Sequence, residues 1–170
     1  MSVDIGKITK AMNYFATHTI EIGILGEGDS MGEQKEMTVL EYGSYLEFGS
    51  PGGKIKPRGY FRRAIEENKS SITLFVQGVL NQVLAGNLDG RLASMQVGEY
   101  IRGLVVQAIA DASNWAIKND PDYEKWKANK YPNRAGQTLI LEGYLIKSIR
   151  YKIKKGGATV YKSDWNKVGG

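Results

Sequence analysis

The sequence contains no cysteine and one histidine, His18. The first absence rules out disulfides and thiolate-held metals, and the second leaves zinc centres and histidine-based catalytic triads without their usual side chains. Proline is scarce, four in the chain, and two of them, Pro51 and Pro57, fall close together. No apolar run approaches the roughly 18 residues that cross a bilayer. The opening stretch MSVDIGKITKAMNYFATH also lacks the apolar core and small-residue cleavage site of a secretory signal, which predicts a protein that stays in the cytoplasm where it is made, away from membranes. Low-complexity tracts are missing too. With 42% hydrophobic and 24% charged residues in 170, the chain has the composition to bury a core, and the length predicts one domain over 1–170. The net charge of +5 suits solubility, an acidic protein partner or a nucleic-acid backbone equally well, so charge alone selects no function.

What is present is mostly periodicity. Ile5, Ile8, Met12 and Phe15 recur at helical spacing opposite Lys7, Lys10 and Asn13, predicting a short amphipathic helix. In TIEIGIL the alternation puts Ile20, Ile22 and Ile24 on one face, the signature of a half-buried strand. GEGDSMGEQKE then reads as a polar, flexible loop near 26–37. Thr38 and Glu41 form a capping-box pattern that opens a helix running to about Phe48. Residues 49–59 carry Pro51, Gly52, Gly53, Pro57 and Gly59, which break regular structure and predict a second flexible loop.

From Tyr60 a helical pattern through Phe61, Ile65, Ile72, Phe75, Val76, Val79, Leu80 and Val83 predicts one long helix stopping near Gly86. After a turn at 87–91, a second long helix is expected, capped by Ser94, with Val97, Ile101, Leu104, Val105, Ala108, Ile109, Ala112 and Trp115 on its apolar side. Asp120-Pro121 ends it. PDYEKWKANKYPNRAGQ shows no period and reads as an irregular surface segment. SIRYKIK alternates Ile149, Tyr151 and Ile153 against Arg150, Lys152 and Lys154, and the following glycine pair before ATVYK predicts a hairpin, ahead of a mobile C-terminal tail. The sum is an α+β fold: a small antiparallel sheet of about three to four strands with two long helices packed on one face.

Catalytic signals are weak. GILGEGDSMG lacks the lysine and Ser/Thr of a phosphate loop, and DPDYE lacks the spacing and glycine of a calcium loop. Glu66 and Glu67 are adjacent, so they do not face one another on a helix, and a hydrolase built on Glu47 and Glu66 would need those two to meet in a pocket. The expectation is a protein that is not an enzyme and holds no metal or cofactor. The basic residues carry more information: Lys54, Lys56, Arg58, Arg62 and Arg63 surround the 49–59 loop, while Lys147, Arg150, Lys152, Lys154 and Lys155 cluster at the hairpin. With Tyr60, Phe61 and Tyr151 interleaved, they fit the mixture used by single-strand binders, so a nucleic-acid-binding module using the basic hairpin is the alternative function. Phe61 and Tyr151 also fall on expected core faces, and edge lysines keep sheets from pairing.

The order of three stretches, EYGSYLEFGS, KIKPRGYFRRAIEEN and LILEGYLIKSIRYKI, resembles the tail-completion (neck, head-to-tail joining) family of long-tailed bacteriophages. In that family a helix ends in Glu-Phe-Gly-Thr, a loop delivers Ile-Pro-x-Arg-Pro-Phe-Leu-Arg, and the C-terminal part reads Leu-x-x-Thr-Gly-x-Leu-x-x-Ser-Ile-x-Tyr. Glu47, Phe48 and Gly49 match the first element, with Ser50 in the threonine place; Ile55, Arg58, Phe61 and Arg63 approximate the second, with Pro57 shifted and Gly59 where proline is frequent. Leu139, Gly143, Leu145, Ser148, Ile149 and Tyr151 match the third, with Glu142 replacing threonine. The resemblance implies a non-enzymatic virion protein of the neck or tail, assembled in the host cytoplasm. It also implies a homo-oligomeric ring, hexamer or dodecamer, between a head-tail connector or head-closure protein and a tail terminator or tail tube protein, with DNA in the channel. Lys54, Ile55, Lys56, Arg58, Arg62 and Arg63 would then be interface residues and Phe48, Gly49, Pro57 and Phe61 loop anchors. Gly143, Leu145, Ser148 and Tyr151 would support them.

Overall fold

The computed structural model describes residues 4–25, 30–31, 34–139 and 143–164. In chain order it forms α1 (Ile5–Thr17), β1 (His18–Ile24), β2 (Ser30–Met31), β3 (Gln34–Thr38), α2 (Val39–Phe48), α3 (Tyr60–Glu67), α4 (Lys69–Leu84), α5 (Gly90–Ala110), α6 (Ala112–Trp115), α7 (Pro121–Lys130), α8 (Tyr144–Ser148), β4 (Ile149–Lys155) and β5 (Ala158–Lys162). Three-residue 3-10 turns lie at Pro51–Gly53 and Pro132–Arg134. The fold is α+β, with a small antiparallel sheet in the order β1-β4-β5 and a separate two-stranded ladder of β2 and β3. Among the described residues no helix is long and apolar enough to cross a membrane.

The chain divides into two compact units, each assembled from separated segments. One takes residues up to 23, 67–103 and 150 onward; the other takes 24–66 and 104–149. In the first, the glycine pair that the sequence offers for a tight turn does that work: Gly156 and Gly157 adopt φ of 55° and 88°, closing β4 onto β5 with Ile153 opposite Tyr161. Along β4, Tyr151 and Ile153 are buried while Lys152 and Lys154 are half-buried, the alternation that one covered face demands. The covering element is α5, where Gly98 has no side chain and the Tyr151 ring fills the space; a Cβ there would lie 2.4 Å from Tyr151 Cδ2. A second cluster joins α1, α4 and α5 through Ala11, Val79, Val83 and Ala93, with Phe15, Phe75 and Val97 against it and the Phe75 ring stacked on Tyr100 at 4.1 Å.

The second unit is built on one core of Leu46, Tyr60, Ala64, Val105, Ile109, Leu139, Leu145 and Ile149, among others. Burying each large aliphatic of this set contributes about 1.5–3 kcal/mol relative to exposure. Helix α2 enters through the expected capping box: Glu41 N–H donates to Thr38 Oγ1 at 3.2 Å, and Thr38 N–H donates to Glu41 Oε2 at 2.8 Å.

Several expectations are corrected. The 26–37 loop holds β2 and β3, with Ser30 opposite Thr38 and Met31 opposite Gln34; residues 26–29 and 32–33 lie outside the described residues, as does the C-terminal tail from 165. The buried side of α1 runs through Ala11, with Ile8 and Phe15 half-covered, whereas Ile5 and Met12 are exposed. The first long helix breaks at Asn68, whose φ of −107° and ψ of 13° depart from helical values, so α3 and α4 are separate. Asp89, not Ser94, starts α5: its Oδ1 accepts from Leu92 N–H at 2.8 Å, while Ser94 is buried inside the helix. That helix ends at Ala110, and α6 is a distinct turn.

The stretch read as irregular is mostly α7. Asp120 Oδ1 accepts from Asp122 N–H at 2.9 Å, Pro121 occupies the first turn, acidic residues follow it and lysines close the helix. Its inward position is a lysine: Lys127 is 1% exposed, and its ammonium donates to the Gln137 carbonyl.

Candidate functional site

The 49–59 loop leaves α2 through Gly49, whose φ of 90° suits glycine and whose missing Cβ leaves room for Pro57, 3.2 Å from where that atom would sit. Within the loop, Ser50 closes a small ring: its N–H donates to Ile55 O at 2.9 Å, and its Oγ accepts from Ile55 N–H at 2.8 Å. Arg58 N–H then donates to Leu46 O at 2.7 Å, and Gly59 N–H to Glu47 O at 3.2 Å, returning the chain to the helix it left.

Glu47 finishes the closure. Only 7% exposed, its carboxylate accepts from Phe61 N–H at 2.8 Å and from Arg62 N–H at 3.2 Å. These amides belong to the first turn of α3, where backbone donors have no helical partner, and a carboxylate there also complements the helix dipole. Loop closure therefore falls to Glu47. Its neighbour Phe48, expected as a loop anchor, is 73% exposed and corrects that expectation. Phe61 is half-buried against the core, and Pro57 is exposed where it lies beside Gly49.

The expected interface cations separate into two kinds. Arg58 faces its own fold, donating from Nε to Ile117 O at 3.2 Å and from Nη2 to Asn119 Oδ1 at 2.5 Å; burial disfavours its charged form, against which the nearby Tyr42, Tyr123 and Glu124 act. Arg63 lies over the Trp115 ring, 4.8 Å from its centre. Ile55 packs half-buried on the core. Lys54, Lys56 and Arg62 are exposed, and the two lysines make no ion pair or hydrogen bond among the described residues. The sequence marks neither Ile117 nor Asn119, and it marks Trp115 only as an apolar helix position, because their partners lie far away along the chain.

The hairpin is arranged differently. Glu21 on β1 takes Lys152 at 3.2 Å and Lys154 at 2.9 Å, and hydrogen bonds from Lys154 and then Lys152 hold its carboxyl below the usual range. Lys147 and Lys155 are exposed, and Arg150 is half-buried. Among the motif residues, Gly143 has a left-handed φ of 81° just before α8, and Leu145, Ser148 and Tyr151 are all buried. Glu142 lies outside the described residues. His18 stacks on Tyr14 with ring centres 3.6 Å apart, its Nδ1 2.8 Å from Tyr14 O. Glu47 has both carboxylate oxygens on backbone amides, while Glu66 is exposed, and among the described residues no three His, Asp or Glu side chains gather as a metal site would require.

No family model matches the chain, and neither curated proteins nor solved structures give a match.

Proposed function

We propose that this chain is a virion assembly protein at the head-tail interface of a long-tailed bacteriophage, a tail-completion or neck subunit that forms a ring through protein-protein contacts and needs no catalytic centre. One observation carries the reading: the three separated stretches that bear the family resemblance meet in a single core. Leu46 precedes the Glu-Phe-Gly element, Tyr60 and Phe61 end the loop, and Leu139, Leu145 and Ile149 come from the C-terminal element; all belong to one packed cluster. On the outside of that cluster the loop holds Lys54 and Lys56 toward solvent with their charge unspent. A closed backbone bearing exposed cations is pre-organised for a partner, which lowers the ordering cost of association.

Electron microscopy of the purified protein mixed with purified connectors or tails tests this. A stoichiometric ring on one of them is expected, and persistent failure to associate with either removes the proposal. The alternative, DNA binding by the basic hairpin, is disfavoured by the pairing of Lys152 and Lys154 with Glu21. It predicts DNA affinity falling steeply with salt, and a flat response removes it.

A further inference from the structure

Beside the loop lies a cleft of about 480 Å³, bounded on one side by residues 54–58 and on the other by 118–123 at the start of α7. Its base is apolar, with Tyr42, Leu46, Ile55 and Tyr123, and its rim is cationic, with Lys54, Lys56, Arg58 and Lys118. The single carboxylate of the lining, Asp120, is committed to the α7 amides of Asp122 and Tyr123. Arg58 is held by Ile117 and Asn119, and Lys118 donates to the Ser113 carbonyl, so Lys54 and Lys56 are the rim cations with no partner among the described residues.

A second depression, of about 530 Å³, is lined by the end of α2 and by the same loop, from Ser44 to Pro57, with the exposed Phe48 in its wall. Both depressions are lined by Ile55 and Lys56. A single small anion would occupy only part of the cationic cleft; an occupant that uses both depressions must be an extended chain. Charge complementarity demands acid groups at the Lys54 and Lys56 rim, and the Phe48 wall demands a bulky apolar side chain beside them.

We infer that these two depressions, which share Ile55 and Lys56, together dock an extended acidic segment of a partner protein that also carries a bulky apolar residue. The inference rests on the assembly reading and names the chemistry of its partner. A nucleic-acid strand is the poorer occupant, because phosphates would meet two unpaired lysines over an apolar base instead of a continuous cationic track.

Three labelled probes test it by fluorescence anisotropy: a peptide alternating glutamate with leucine, an all-glutamate peptide of equal length, and a single-stranded DNA oligonucleotide of equal charge. The mixed peptide binds best, and Lys54→Glu with Lys56→Glu weakens it by roughly tenfold, the scale expected when two favourable charge contacts become repulsive. Phe48→Ser narrows the difference between the two peptides. All three side chains are exposed, so the variants keep the fold. Absence of peptide binding, unchanged affinity in the lysine variant, or DNA binding as tight as the mixed peptide each overturns the inference. If the peptide fails while the protein still rings a connector, the docking site is wrong and the assembly reading stands. If the peptide binds and no ring forms, the reverse holds.

Discussion

Glu47 and Phe48 are sequence neighbours with opposite duties, and their substitution should separate stability from association. Glu47→Ala strands the Phe61 and Arg62 amides at the start of α3. The expected loss is about 1–3 kcal/mol, read as a lower urea midpoint at unchanged slope, with Glu47→Gln losing less because one acceptor oxygen remains. Phe48→Ser should shift stability by no more than about 0.5 kcal/mol, as for other exposed positions, while weakening partner binding. A fall of several kcal/mol would mean that Phe48 is a loop anchor after all. Gly98→Ala tests the other unit: the added Cβ would meet Tyr151 ring carbons at 2.4 and 2.8 Å, a contact that a ring cannot relieve by a rotamer of its far end. Overpacking of about 1–3 kcal/mol is expected, and Tyr151→Phe should not rescue it. At this scale the sequence marks the loop by its glycines, prolines and cations but gives no sign that Glu47, rather than Phe48, ties its ends together. An aromatic beside a loop looks like an anchor, whereas a buried carboxylate capping a distant helix leaves no periodic trace.

Among the elements, β4 and β5 were legible because alternation and a glycine pair are local, and α2 because its capping box is local. The helix α7 was missed for want of apolar period: its buried position is Lys127, so a hydropathy pattern reads it as surface. Its cap, first-turn proline and end-to-end charge order were the available signal. The break at Asn68 and the start at Asp89 depend on backbone angles and a side-chain cap that the periodic pattern runs straight across. The β1-β4 pairing carries a pH prediction. Because Glu21 has its folded pKa lowered by Lys154 and Lys152, its contribution is present above the ordinary carboxyl value of 4.5 and is lost as pH falls through the folded value. Thermal melts from neutral pH into that acid range should show a loss that Glu21→Gln reduces, the remainder including Glu41, whose carboxyl the Thr38 hydrogen bonds also hold low; an identical acid profile in the variant would contradict the assignment.

For the whole molecule, the two units share one alkaline vulnerability. Tyr60 in one and Tyr151 in the other have hydroxyls pushed well above the ordinary 10.0, in each case first by burial. The folded state then keeps protons that the unfolded chain releases, so stability is intact below about pH 10 and declines as pH rises beyond it. Tyrosinate absorbance should therefore appear for these rings together with unfolding, followed by circular dichroism; ionisation of every tyrosine ahead of any structural change would contradict their burial. Nothing in the sequence marked the division into two units, because each is built from segments far apart in the chain.

The central claim is that the 49–59 loop, closed on α2 and α3, is where this protein meets its partner. Hydrogen-deuterium exchange with and without purified connectors or tails tests it most directly. The account predicts that exchange slows on binding at residues 49–63 and 118–123 and stays unchanged along β4 and β5. Protection confined to the hairpin, with the loop exchanging as in the free protein, would contradict it.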